Sequence, residues 1–349
     1  MTNPDFPTLL SAAEVAQASA KLKELVARLD AIVFGREEVT TAAALSLVCR
    51  GHMLFEGMPG LGKTELARGL ARLMALSFKR IQFTPDLMPS DITGSHLIEE
   101  DGGRRRLVFK PGPVFAGLVL ADEINRASPK TQSALLEAMQ ERSVTVLGET
   151  HALPEPFVVI ATQNPIDLEG TYPLPEAQLD RFLFKIEVVG TPVAVLERLL
   201  RERPRGEPPA QKPLMDAAEL KALMESVSRV ALPRAVGSYI ARLVAATHPS
   251  EPAAPAGVKT SVRFGASPRA AIGLGLAARA YGLLEGRPQA GFADVRRAAP
   301  LVLRHRLILD PTARLSGRTA NHFVEEILAG VSETGRELPD LAVLEKSAP

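Results

Sequence analysis

The segment GMPGLGKT, Gly57 to Thr64, carries the strongest chemical pattern in the chain, matching G-x-x-x-x-G-K-[ST] throughout. Gly57, Gly60 and Gly62 permit a tight backbone turn whose N–H groups point at phosphate oxygens, and a helix starting behind the loop adds its positive end. Lys63 is placed to reach β- and γ-phosphates, and the Thr64 hydroxyl to ligate Mg²⁺. The expected nucleotide contacts are Gly57, Pro59, Gly60, Leu61, Gly62, Lys63, Thr64 and Glu65.

LVLADEIN closes an apolar run with Asp122 and Glu123. A P-loop ATPase needs an acid at the end of a neighbouring strand to hold the Mg²⁺ hydration shell, which suits Asp122. Glu123 then polarises the attacking water as general base. A P-loop that only binds nucleotide has no use for the second acid, so the pair favours hydrolysis over a passive switch. FVVIATQNP is another apolar run, ending in Thr162, Gln163 and Asn164. Asn164 is expected beside the strand carrying the acids, orienting water against the γ-phosphate. A turn-forming Asn before Pro165 is the structural alternative.

PEAQLDRFLF, residues 175–184, sets Arg181 among Leu179, Phe182 and Phe184. An unpaired arginine beside apolar residues is costly to bury. Arginine stabilises charge on a transferring phosphoryl group when supplied in cis or by a partner. Its place after the last ATPase elements points to a site on a neighbouring copy of the chain, with a salt bridge to Asp180 or Glu176 as the rival reading. In ASPRAAIGL, Pro268 suits a helix start and puts Arg269 in the first turn. A lid arginine there can contact phosphates and tie lid angle to nucleotide state; a plain surface arginine is the alternative.

The elements that must position these groups are legible in outline. Leu22, Leu25, Val26 and Leu29 recur at helical spacing within 12–29. Then short apolar runs alternate with helical ones: HMLFEG before TELARGLARLMAL, FKRIQF, GLVLAD before TQSALLEAMQER, FVVIAT and FLFKIEV. This alternation predicts an α/β fold, a parallel sheet wrapped by helices. Near Gly190 the character changes, and the Pro- and charge-rich 201–213 reads as a linker or exposed loop. Helices without a good strand are expected at 216–229, 233–247, 268–285, 291–304 and about 319–330.

Composition narrows the class. The 349 residues suffice for roughly two domains of about 100–200 residues each. A formal charge of +1, from 41 basic and 40 acidic residues, gives no global pull toward nucleic acid or an anionic membrane. One cysteine, Cys49, excludes an internal disulfide. No signal peptide pattern and no run of about 18 apolar residues is present, so the expectation is a cytoplasmic protein.

Taken in order, GMPGLGKT, LVLADE, ATQNP, QLDRF and SPRA resemble the AAA+ ATPases, and within them the MoxR family. The likeness runs from IVFGRE (32–37) to about residue 330, with QFTPDLMPSDITG (82–94), the stretches 109–142 and 161–185, and VLRHRLIL (302–309) the more specific strings. It implies an αβα ATPase core at 1–190, a linker at 191–214, a helical lid at 215–335 and a tail at 336–349. It also implies ATP and Mg²⁺ held between subunits of a ring, most often a hexamer. By that likeness Asn164 matches the sensor-1 asparagine, Arg181 the arginine finger and Arg269 the sensor-2 arginine, while Val33 and Gly35 join the adenine pocket. Family members usually act in a chaperone-like way with a von Willebrand factor A domain partner, maturing a client enzyme or its metal or cofactor.

Two insertions interrupt the alternation. Within 85–113, EEDGGRRR reads as an exposed hairpin tip, and 142–156 suits a second β-hairpin. Arg104, Arg105 and Arg106 are placed to meet an acidic client or nucleic acid, a solvated tip being the alternative. Rival functions are the ATPase subunit of a magnesium or cobalt chelatase and a nucleic-acid motor related to MCM-class helicases. The lack of a zinc-binding cysteine cluster and the near-neutral charge count against the motor. A stand-alone kinase or GTPase is disfavoured because TQNP does not resemble the guanine-reading N-K-x-D.

Overall fold

The computed structural model describes residues 8–57, 62–101, 104–164, 170–188, 190–203 and 211–334. Helices α1 (Ala12–Ile32) and α2 (Glu37–Val48) precede strand β1 (Met53–Gly57) and helix α3 (Lys63–Leu73). Strand β2 (Phe78–Gln82) leads to the short α4 (Pro89–Thr93) and to a hairpin of β3 (Gly94–Asp101) and β4 (Arg104–Pro111). Strand β5 (Leu118–Asp122) and α5 (Pro129–Glu141) come next, then a second hairpin of β6 (Ser143–Val146) and β7 (Glu149–Ala152). Strand β8 (Val158–Gln163), α6 (Glu176–Leu179) and β9 (Phe184–Val188) complete the core.

The central sheet has the order β2-β5-β8-β1-β9 with every pair parallel. Its three inner strands, β1, β5 and β8, are buried on both faces and read as continuous apolar runs, whereas edge strand β2 exposes Lys79, Arg80 and Gln82. Alternation still sorts their side chains. Met53, Phe55, Leu118, Leu120, Val158 and Ile160 enter one core with α1, α2 and α3. Leu54, Val119, Ala121, Val159 and Ala161 enter the other, against α5 and the β6–β7 hairpin. Truncating a fully buried member such as Ile160 to Ala costs roughly 2–5 kcal/mol. One expectation needs correcting: the strand carrying the acids is not next to β1, because β8 lies between β1 and β5. Asn164, just past β8, does follow a strand paired with β5, as expected.

Beyond the core lie α7 (Val193–Glu202), α8 (Ala217–Arg229), α9 (Arg234–Ala245), α10 (Ala256–Ser261), β10 (Val262–Phe264), α11 (Pro268–Leu284), α12 (Phe292–Leu303), β11 (Ile308–Leu309), α13 (Pro311–Leu315) and α14 (Ala320–Gly330). The five expected helices are present. The segment expected as linker instead begins with α7, and the lid holds a short antiparallel pair, β10 with β11. α11 starts where Pro268 placed it, with Ser267 capping the Arg269 N–H.

The lid packs onto the α1 side of the core. Arg306 is the deepest anchor. Its Nε donates to Asp180 Oδ1 at 2.8 Å and its Nη2 to the carbonyls of Asp180 and Phe182 at 3.0 and 2.7 Å. The neighbouring His305 donates from Nε2 to the Phe182 carbonyl, the pair standing 3.0 Å apart. A buried guanidinium is tolerable when it is paired and its donors are used, as here.

Both insertions are hairpins, as expected. The tip residues 102–103 lie outside the described residues. Glu99 stands opposite Arg106 and Glu100 opposite Arg105, with Arg105 Nε 4.0 Å from Glu100 Oε2. The two arginines therefore sit in a charge-balanced ladder, which weakens the case for a basic patch reaching nucleic acid.

Candidate active site

The carboxyl ends of parallel strands open toward one edge of the sheet, where α/β proteins hold ligands. Here β1 ends at Gly57, β2 at Gln82, β5 at Asp122 and β8 at Gln163. Gly62, at φ +80°, occupies the left-handed region as the N-cap of α3, so Lys63 and Thr64 fall in its first turn. Pro59, Gly60 and Leu61 lie outside the described residues. A cavity of about 410 Å³ is lined by Gly62, Lys63, Thr64, Glu65, Arg80, Gln82, Asp122, Glu123, Thr162 and Asn164. The Lys63 ammonium donates to the Gly57 carbonyl at 2.6 Å. Burial pulls its pKa down, against the opposing pull of the Asp122 and Glu123 carboxylates.

The acidic pair is held by β8. Thr162 Oγ1 donates to Asp122 Oδ1 at 2.6 Å and accepts the Glu123 N–H at 2.8 Å. One hydroxyl thus fixes a side chain and a backbone on the next strand. Glu123 has φ +56° and ψ +50°, a left-handed conformation costing a non-glycine residue roughly 1–2 kcal/mol. Its carboxylate accepts from Gln82 Nε2 at 2.9 Å and from Arg126 Nη1 at 3.0 Å. Asp122 Oδ2 accepts from Arg80 Nε at 3.1 Å and Nη2 at 2.6 Å. Arg80, Gln82 and Thr162 were not singled out from the sequence. The alternating polar residues of FKRIQF and the Thr of ATQNP were the only signals for them.

Arg181 and Arg269 are not part of this cavity. Both line a second one of about 230 Å³, with Asp180, Gln140, Leu183, Ile272 and Arg306 among its walls. Arg181 donates from Nη1 to the Leu136 carbonyl, while its buried Nε has no hydrogen-bond partner. The rival salt bridge with Asp180 is not what forms, because Arg306 and Ser267 take Asp180, with Arg269 Nη1 3.5 Å away.

Val33 and Gly35 lie at the end of α1, beside the P-loop. A Cβ on Gly62 would stand 3.4 Å from Val33 Cγ1. Gly35, at φ +63°, is pressed against α7, since a Cβ there would come within 2.3 Å of Val195 Cγ2. The Phe34 ring packs under the guanidinium groups of Arg198 and Arg203, at 4.2 and 3.8 Å. Arg203 also donates to the Ile32 carbonyl at 2.7 Å. So α7 braces the segment expected to meet adenine, a role no local pattern in 191–203 announced.

A P-loop lysine and threonine facing an acidic strand end across a parallel sheet, with a helical lid behind, define a P-loop ATPase core of the AAA type. Comparison with known families agrees. Residues 52–184 match the model for the ATPase family associated with various cellular activities (AAA), and residues 255–327 that for the AAA lid domain. Chaperone MoxR1 of Mycobacterium tuberculosis is 44% identical over 82% of this chain and 76% of its own. YeaC of Bacillus subtilis is 42% identical over 89% and 94%. Protein MoxR of Paracoccus denitrificans is 33% identical over 84% and 90%. A solved structure from Cytophaga hutchinsonii superposes with a TM-score of 0.85 at 36% identity, over 92% of this chain and 97% of that one. The chain belongs to the MoxR family of AAA+ ATPases, enzymes that hydrolyse ATP. Among the described residues no helix is long and apolar enough to cross a membrane.

Proposed function

We propose that this chain works as one subunit of a ring, most simply a hexamer, whose ATP sites are completed by arginines of the adjacent subunit. The observation carrying this is the separation of the two half-sites. Lys63, Thr64, Asp122, Glu123 and Asn164 share one cavity, while Arg181 and Arg269 share another. Arg181 also keeps a buried guanidinium nitrogen without a partner. The exposed Val193, Leu196 and Leu200 on one side of α7 supply apolar surface for a neighbouring subunit.

In this reading the α3 N-terminus and Lys63 bind the β- and γ-phosphates. The oxygen donors Thr64 and Asp122, lining one polar cavity, suit a hard dication such as Mg²⁺, which would neutralise phosphate charge when bound. Arg80 must then yield part of its hold on Asp122. Glu123 takes the proton of the attacking water, and Asn164 orients that water. The neighbour's Arg181 and Arg269 balance charge building on the transferred phosphoryl group. The family kinship favours chaperone-like remodelling of a client protein, with a von Willebrand factor A domain protein as partner.

Mixing tests the shared site. Glu123→Gln and Arg181→Ala should each be nearly inactive alone, yet an equimolar mixture should regain ATPase activity. In mixed rings the Glu123→Gln subunit lends its intact arginine to a neighbour with an intact base. A mixture as inactive as its components would place both residues in one self-contained site.

A further inference from the structure

A second place where ligand-type side chains converge lies outside the phosphate cavity, at the junction of the two hairpins. His96 on β3 meets Glu149 and His151 on β7, and one donor atom from each residue lies within 4.8 Å of those of the other two. Glu149 and His151 are two apart on a strand, so they face the same side. Glu149 Oε2 stands 3.8 Å from His96 Nε2 and 4.0 Å from His151 Nε2. These contacts are too long for hydrogen bonds. The imidazoles are fixed by packing: Phe109 stacks on His151 at 3.9 Å and 8°, and it meets His96, its cross-strand partner, at 5.5 Å. The His96 side chain is only 8% exposed. His96 Nδ1 and His151 Nε2 are both buried without any hydrogen-bond partner.

His151 Nε2, buried and without a hydrogen-bond partner, faces the Glu149 carboxylate together with His96 Nε2, an arrangement that is expensive unless something joins the three. We infer that His96, Glu149 and His151 form a binding site for a transition-metal dication, Zn²⁺ above all. Two imidazoles and a carboxylate are a donor set that suits Zn²⁺ and disfavours Mg²⁺ or Ca²⁺, which prefer oxygen. Donors at about 2.0–2.2 Å from one tetrahedral Zn²⁺ stand roughly 3.4 Å apart. Glu149, whose side chain is 71% exposed, is free to swing its carboxylate toward the two imidazoles and shorten the present spacing. A water completes the shell on the solvent side. The ion ties the β3–β4 hairpin to the β6–β7 hairpin. This site is independent of the ATPase assignment, since none of its residues lines the phosphate cavity.

The test uses the full chain, stripped with a chelator and returned to buffer with excess Mg²⁺ to mask the nucleotide site. Zn²⁺ uptake is measured by competition with a chromophoric chelator, and Co²⁺ serves as a spectroscopic probe of imidazole ligation. Wild type should take up one Zn²⁺ per chain, raising its melting midpoint as expected for ligand bound to the native state. His151→Ala should lose this uptake. Glu149→Gln, a surface change that leaves folding undisturbed, should weaken it roughly tenfold or more, by analogy with losses at metal-supporting residues. Stripped wild type that takes up no Zn²⁺, or that binds it no more tightly than both variants do, would overturn the assignment.

Discussion

At the scale of single residues, the site depends on how Thr162 divides one hydroxyl between two acids. Its Oγ1 holds Asp122 Oδ1 at 2.6 Å and the Glu123 N–H at 2.8 Å. Glu123 itself carries a strained backbone and a carboxylate shared by Gln82 and Arg126. Glu123→Gln should therefore retain ATP binding but slow hydrolysis by 10²-fold or more, the usual contribution of a general base. Equilibrium nucleotide binding alongside steady-state turnover checks this; near-normal turnover would remove Glu123 from the base role. Thr162→Val keeps the shape but releases both acids. It should lower the turnover number by roughly 10–100-fold, the cost typical of removing a residue that positions a ligand. An unchanged turnover number would show that the acids hold their places without it. The motif residues were readable because each sits within a few positions of its fellows. Thr162, Arg80 and Gln82 were not, because their partners lie 39 to 42 residues away and meet them only across paired strands.

Among the elements, the β8 insertion between β1 and β5 decides the geometry, and His52 shows how tightly that layer is set. This histidine, just before β1, accepts the Val159 N–H at 3.0 Å through Nδ1 and offers Nε2 to the Met139 carbonyl at 3.2 Å. It so joins β1, β8 and α5. Burial pushes its pKa down to about 4 from the ordinary 6.5. The folded chain resists protonating it, so its contribution is complete above pH 6.5 and is lost as pH falls toward 4. That loss is on the order of 3 kcal/mol. Melting midpoints between pH 7 and 4 should fall more steeply for wild type than for His52→Gln, whose amide keeps both hydrogen bonds. Parallel curves would take His52 out of the acid response. Strands and long helices were legible from apolar runs and periodicity. α7 was readable from Val193, Leu196, Leu199 and Leu200 at helical spacing but was absorbed into the linker expected beside the Pro- and charge-rich 201–213. The β10–β11 pair was not readable, since its few residues carry no alternation.

For the molecule as a whole, the lid is fastened by contacts that no local window reveals. Arg306 reaches Asp180 across 126 positions, directly beside Arg181. The lid's Arg269 closes on the same aspartate at 3.5 Å. Lid and arginine loop are therefore joined at Asp180, and the two arginines they present line a cavity other than the chain's own phosphate cavity. The central claim, that a neighbour completes each site, is tested most directly by ATPase rate per subunit against protein concentration, for wild type and Arg181→Ala. The account predicts a wild-type rate that climbs as subunits assemble, and a variant that binds ATP but stays inactive at every concentration. A wild-type rate that is flat from the lowest concentrations, with Arg181→Ala still turning over, would contradict it.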